Sequence, residues 1–303
     1  MRAKLTLFLL IAALGLAACG GKETGTGDDD GGSTAVLTFS VLPGEEDTKL
    51  AEKFTTFGQY LGDKLGVTVQ YRAAADYGAS VRMFEKGEVQ LAWFGGLTGV
   101  QARSKVPGAE AIAQGAEDPN YFSYFVANAD AGIAPSDSRE KFPEGLEGKT
   151  FTFGSPRSTS GRLMPEHFIR TFTGKSPKEL FGSDPQFSQK HNLTAKWVES
   201  GKVQVGAMSY KTYDKMVSKG ELDPKKCVVI WKTPFYADYN FTAHPKLNEM
   251  FGAGFVKKLQ DAILAYDDKD VLENGFQRSK LIPAQNADFA KIKELAEKLD
   301  FVN

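Results

Sequence analysis

Phe84-Glu85-Lys86-Gly87-Glu88-Val89-Gln90-Leu91-Ala92 recurs, 114 positions further on, as Val198-Glu199-Ser200-Gly201-Lys202-Val203-Gln204-Val205-Gly206. Each copy reads as the end of a helix, a glycine stop and a short apolar strand. At the same offset, with no gap, Thr38-Phe39-Ser40 falls on Thr152-Phe153-Gly154. Two matches at one register predict two lobes built on the same strand–helix–strand plan. Tyr77 lies ten residues before Gly87, and His191 ten before Gly201, so each opens the equivalent helix of its lobe. Ligands of open α/β sheets bind beyond the carboxyl ends of the strands. Tyr77 and His191 are therefore expected on opposite sides of one cleft.

Between the two matches lies Gly154-Ser155-Pro156-Arg157-Ser158-Thr159-Ser160-Gly161. It follows the alternating strand Thr150-Phe151-Thr152-Phe153 and precedes a helix over 162–169, in which Pro165 is tolerated only in the first turn. Three hydroxyls and the unpaired N–H groups of a helix start form an oxyanion receptor. The same residues also read as a Ser/Thr-rich cap and turn without a ligand. The repeat sets them opposite Gly44-Glu45-Glu46 in the first lobe. Arg157, next to the hydroxyls, reads as an exposed arginine.

Outward from these stretches, strands over 36–42, 67–71 and 89–94 alternate with helices over 50–65 and 79–85, which predicts an α/β fold with mostly parallel sheets flanked by helices. The crossings between lobes are expected at Val126-Ala127-Asn128-Ala129 and at 228–233. This gives 35–127 and 232–303 as the first lobe and 128–231 as the second. Helices over 255–266 and 289–299 are expected to pack back on the first lobe. Tyr121, in the alternating run Tyr121-Phe122-Ser123-Tyr124-Phe125, reads equally as a core aromatic.

The first 33 residues stand apart. Arg2 and Lys4 precede an apolar run over 5–16, too short to span a bilayer, so 1–18 reads as a signal peptide. Its end, Leu16-Ala17-Ala18-Cys19, resembles a bacterial lipobox, which implies cleavage before Cys19 and lipid on that residue. Residues 19–34 then read as a flexible tether. A net charge of −1 gives no support to nucleic-acid binding. Of the two cysteines, Cys227 precedes Val228-Val229-Ile230 and reads as a buried strand residue. His167, His191 and His244 are the only histidines and are well separated, so neither a metal site nor a cofactor is expected.

Asp76-Tyr77, Ala92-Trp93-Phe94-Gly95-Gly96, Phe153-Gly154 with Ser158-Thr159-Ser160-Gly161, and Thr233-Pro234 with Asp238 together resemble the solute-binding proteins of phosphonate and phosphite ABC importers. The wording Trp-Phe-Gly-Gly and Tyr-Ala-Asp-Tyr is similar to a subgroup labelled as selenate-binding. The resemblance implies a two-lobe type II periplasmic binding protein fold, with a small tetrahedral oxyanion held in the interlobe cleft by hinge closure. It implies Tyr77, Tyr121, Ser158, Thr159, Ser160, His191 and Asp238 as ligand residues. It also implies an ABC permease as partner and a monomer held at the periplasmic or cell surface through Cys19. A charged His191 would donate to the anion from both ring nitrogens. Beside Tyr210 the chain reads Ser209-Tyr210-Lys211, which offers no carboxylate to an aminoalkyl ligand. The alternatives are an oxyanion-sensing lipoprotein coupled to a receptor and a serine hydrolase. The latter lacks a Gly-x-Ser-x-Gly elbow.

Overall fold

A computed structural model of the protein describes residues 35–43 and 48–302, which form one compact unit. The signal peptide, Cys19, the tether and the Gly44-Glu45-Glu46 loop lie outside the described residues.

The first strand, β1 (Val36–Val41), is followed by α1 (Thr48–Leu65), whose Phe54, Phe57 and Leu61 are buried at three-to-four spacing. Then come β2 (Thr68–Tyr71), α2 (Tyr77–Glu85), β3 (Leu91–Phe94), α3 (Gly96–Lys105) and β4 (Glu110–Gly115). A second series comprises β5 (Ser123–Asn128), β6 (Phe151–Phe153), α4 (Met164–Thr173), α5 (Pro177–Phe181), β7 (Gln186–Phe187), α6 (His191–Glu199), β8 (Val205–Ser209), α7 (Tyr210–Ser218) and β9 (Cys227–Lys232). The chain then returns with β10 (Asn240–Ala243), α8 (Lys246–Phe251), α9 (Phe255–Leu264), β11 (Leu281–Pro283) and α10 (Ala290–Lys298). The strands form a six-stranded sheet in the order β11-β4-β10-β3-β1-β2 and a five-stranded sheet in the order β7-β6-β8-β5-β9. Both are mixed, which corrects the expectation of mostly parallel sheets, because the strands on either side of each crossing run against their neighbours. β10 and β11 run against the first sheet, and β5 runs against its neighbours in the second.

The repeat holds through the helices. α2 and α6 are both nine residues long and begin at Tyr77 and His191. Each stops at a glycine in the left-handed region, Gly87 at φ 68° and Gly201 at φ 72°, a conformation that any side chain would strain. The register then slips. Phe39 of β1 pairs with Leu91 whereas Phe151 of β6 pairs with Val205, so the first strands of the two halves are offset by 112 residues and not 114. Two additional residues between that strand and the helix in the second half account for the difference.

Pairing also decides where the chain crosses between sheets. Val126, Ala127 and Asn128 lie inside β5, and 228–232 lie inside β9, both strands of the second sheet. The chain therefore passes from one sheet to the other between Gly115 and Ser123, and back between Lys232 and Asn240. Tyr121 and Tyr236 bridge these two connections in antiparallel fashion. Of the two late helices, the first packs as expected and the second does not. α9 buries Phe255, Leu259 and Ile263 in the first-sheet core with Phe39 and Phe57. α10 instead sets Ile292 and Leu295 in the same core as Leu97 and Val100 of α3 and Phe168 and Ile169 of α4, so it touches both halves. Pro165 occupies the first turn of α4, where its missing N–H costs nothing. Cys227 is fully buried, and burial pushes its thiol up to about 12.

Candidate functional site

The residues singled out in the sequence come from two directions. Tyr77 opens α2, where the Asp76 carboxylate caps the helix by accepting from Ala79 N–H at 2.6 Å. From the second sheet, Ser158 begins a tight turn over Thr159–Leu163 in which Leu163 N–H reaches back five residues to Ser158 O at 3.0 Å. This i→i+5 turn is wider than an α-helical one, a geometry frequent at functional sites. Ser158 Oγ accepts from Gly161 N–H at 2.9 Å, leaving its own proton available to donate. A Cβ on Gly161 would lie 3.0 Å from His191 Cε1, 3.0 Å from Ser158 Oγ and 3.2 Å from Gly154 Cα. Glycine there permits the loop to close on His191.

His191 is buried, and burial pushes its imidazole down to about 4. Its Nδ1 accepts from Ser209 N–H at 3.2 Å, so the ring proton sits on Nε2, 3.4 Å from Ser160 Oγ. The expectation of a charged ring donating from both nitrogens is thereby corrected: one nitrogen is already an acceptor for β8. His191 is a neutral, single donor.

The two halves meet at the start of α3. Leu97 N–H, at the first turn of that helix, donates to Thr159 Oγ1 at 3.0 Å, and Gly96 N–H donates to Asp238 Oδ1 at 2.9 Å. Gly95 and Gly96 make this approach feasible, since a Cβ on Gly95 would sit 3.1 Å from Thr159 Oγ1 and 3.2 Å from Asp238 Oδ1. Asp238 is 1 % exposed, and its Oδ2 has no partner among the described residues. Burial pushes its carboxyl up to about 7. The Gly96 N–H and the neighbouring Thr159 hydroxyl restrain the rise, Asp118 adds to it and Arg278 opposes it. In its protonated form this group can donate from Oδ2.

Tyr77, Trp93, Tyr121, His191, Tyr239 and Arg278 are among the residues that wall a cavity of about 90 Å³. The hydroxyls of 158–160 and Asp238 adjoin this wall: Ser158 and Tyr239 flank the Tyr77 phenol, and Ser160 meets His191. Burial raises the phenol pKa values of Tyr77 and Tyr121, which keeps both as neutral donors. Tyr121 O–H and Ser209 Oγ are directly hydrogen-bonded. All seven expected ligand residues are therefore gathered in one region. Arg157 is half-buried, with its Nε 3.3 Å from where a Cβ on Gly78 would be. Three participants had gone unmarked. Tyr239 sits in the quoted Tyr-Ala-Asp-Tyr run, Ser209 ends β8, and Arg278 arrives from the distant C-terminal segment with no local signal. Among the described residues no three His, Cys, Asp or Glu side chains are grouped to hold a metal ion.

Residues 39–289 match the family described as ABC transporter, phosphonate, periplasmic substrate-binding protein. The chain is 34 % identical over 270 residues to a probable ABC transporter phosphite-binding protein, PhnD1, of Prochlorococcus marinus strain MIT 9301, covering 88 % of this chain and 90 % of that one. It is 26 % identical over 309 residues to the phosphate-import protein PhnD of Mycolicibacterium smegmatis, covering 94 % and 92 %. The solved structure of PhnD1 from Prochlorococcus marinus in complex with methylphosphonate superposes with a TM-score of 0.82 at 33 % identity, covering 88 % of this chain and 98 % of that one. A binding-protein component of a phosphonate transporter from Pseudomonas aeruginosa shares the fold at TM-score 0.72 and 24 % identity.

Proposed function

Because the chain belongs to the periplasmic phosphonate-binding proteins of ABC transporters, we propose that it captures a small tetrahedral oxyanion of the phosphonate or phosphite type between its two halves and hands it to a membrane permease. Proteins of this family bind a substrate for transport and are not enzymes. The observation that carries the reading is the convergence at the start of α3, where the 158–160 hydroxyls of the second half meet Tyr77 and Asp238 of the first. Hydroxyls, phenols, the His191 Nε2–H and a protonatable carboxyl form a set of neutral donors suited to a compact anion. We assign ligand contacts to Tyr77, Tyr121, Ser158, Thr159, Ser160, His191 and Asp238. Closure is a hinge motion about the two connections, and the halves divide at these connections. The same proposal includes a monomer anchored by lipid on Cys19 after removal of 1–18.

A thermal-shift screen with phosphite, methylphosphonate, phosphate, sulfate, selenate and arsenate tests the ligand class. A probe at a hundredfold excess over its Kd adds about 2.7 kcal/mol to the folded state. No shift with any phosphorus oxyanion would refute the reading.

Ser158→Ala, Thr159→Val and Ser160→Ala are each expected to weaken binding by about 1.5–3 kcal/mol, as for loss of a hydrogen bond to a charged group. Titration calorimetry checks this, and three unchanged affinities would return the loop to a simple helix cap. Cys19→Ala is expected to bind ligand normally yet partition into the soluble fraction. Retention on detergent-free membranes would remove the anchor.

A further inference from the structure

Arg278 projects into the junction of the two halves and walls the cavity, yet it is only 2 % exposed and its fork is committed elsewhere. Its Nε donates to Asp118 Oδ2 and its Nη2 to Asp118 Oδ1, both at 2.7 Å. Its Nη1 donates to the carbonyls of Phe276 and Gln277 at 3.0 and 2.9 Å. What the guanidinium offers the cavity is its flat face, 4.7 Å from the Tyr239 ring centroid, 5.2 Å from Tyr121 and 5.6 Å from Trp93. Burial opposes its charge, but the adjoining Asp118 carboxylate more than offsets this and keeps it protonated.

We propose that Arg278, oriented by Asp118, is the positioning residue that supplies positive charge to the oxyanion site, acting through the rings of Tyr121 and Tyr239 without touching the anion. This rests on the oxyanion reading above. A cation stacked on a phenol draws electron density from the ring and makes its O–H a stronger donor. Tyr121 and Tyr239 wall the same cavity beside the cation, whose own N–H groups are committed to Asp118 and to the carbonyls, so the effect is delivered at the tyrosine hydroxyls. Asp118 fixes the geometry. It accepts Gly115 N–H at 2.8 Å and Tyr239 N–H at 3.2 Å, and its carbonyl accepts Asp238 N–H at 3.1 Å. One carboxylate thus ties the cation to the backbone that carries Tyr239 and Asp238. The charged and titratable groups facing Asp238 are Asp118, Arg278 and the phenols of Tyr77, Tyr121, Tyr236 and Tyr239, beside the Thr159 hydroxyl.

The test compares wild type, Asp118→Asn and the neutral pair Asp118→Asn/Arg278→Met by calorimetric titration with methylphosphonate and phosphite, each probe's own titration being measured separately. The double variant exchanges a buried ion pair for neutral groups of similar size, which such sites tolerate, and its melting curve verifies folding. At about pH 5.5, where Asp238 is protonated, the double variant is expected to bind about tenfold or more weakly, while Asp118→Asn, which keeps the cation but loosens its orientation, loses clearly less than the double. The fall of affinity on the alkaline side moves to lower pH in Asp118→Asn, because a negative neighbour of Asp238 is gone. A double variant that binds like wild type overturns the proposal. So does an Asp118→Asn variant that loses as much as the double, since the pair would then be a brace and nothing more. A wild type that binds neither probe sinks the oxyanion reading itself, independently of Arg278.

Discussion

Asp238→Asn is expected to flatten the pH dependence of ligand binding and, in the same protein, to raise the stability of the ligand-free state above neutrality. Asp238 is buried beside phenols and Asp118, and its carboxyl is pushed up to about 7 from an ordinary 3.8. An anion binds the protonated form, which donates from Oδ2, and is repelled by the ionised form. Wild-type affinity should therefore be level below neutrality and fall by about tenfold for each pH unit above it. The stability consequence follows from the direction of the shift. A carboxyl whose folded pKa is raised holds a proton that the unfolded chain has already released. Its contribution is full below the unfolded value and is lost as pH rises through about 7. Above that pH the buried ionised group weighs against folding by roughly 4 kcal/mol, which asparagine removes while still accepting from Gly96 N–H. Calorimetric Kd and melting temperature from mildly acid to mildly alkaline pH check both halves. His191→Asn is expected to leave the slope in place, because an imidazole held down at about 4 is neutral throughout that window. A slope that survived in Asp238→Asn and vanished in His191→Asn would reverse the two assignments.

A single methyl group at Gly115 should have the largest structural effect. Its Cβ would fall 2.3 and 2.4 Å from Arg278 Cδ and Cγ and 2.6 Å from Asp118 Oδ2. These atoms belong to a fully buried ion pair fastened at both ends by backbone hydrogen bonds, so they cannot rotate away as a surface side chain would. Gly115→Ala must either break the pair or bend β4. Disrupting a buried pair costs about 3–5 kcal/mol. At roughly 2–4 °C per kcal/mol for a domain of this size, the melting temperature should drop by about 10 °C. Differential scanning calorimetry decides it, and a fall of less than about 3 °C would show that the junction is softer than its packing implies.

The parts of this molecule that were legible in the chain are those written locally. The helix–glycine–strand unit announced itself twice because period, stop residue and strand all fall within nine positions, and the two helices begin at Tyr77 and His191 as the register required. The hydroxyl loop was legible for the same reason. The slip of two residues between strand and helix, which falls in the second half, was not, because Thr38-Phe39-Ser40 and Thr152-Phe153-Gly154 resemble each other in type while pairing differently. Neither was the place where the chain changes sheets, since β5 carries a buried apolar centre like the first-sheet strands and only its partners reveal where it belongs. Arg278 and Asp118 are 160 residues apart, and no periodicity links them. The neutrality of His191 was hidden too, because it depends on a backbone N–H of β8.

Cys227 has a practical consequence. Its thiol is fully buried at the start of β9, and with a pKa pushed up to about 12 it holds almost no thiolate at neutral pH. Alkylating dyes will therefore pass it by while the protein is folded. With Cys19 replaced, Phe235→Cys would place one addressable handle on the return connection, where Phe235 is 54 % exposed. A fluorophore attached there would sit on the segment proposed as a hinge, and ligand-dependent emission would report its bending. The fold's own inert cysteine leaves that handle as the single reactive thiol of the folded domain, which suits an optical sensor for whichever oxyanion the proposed site binds.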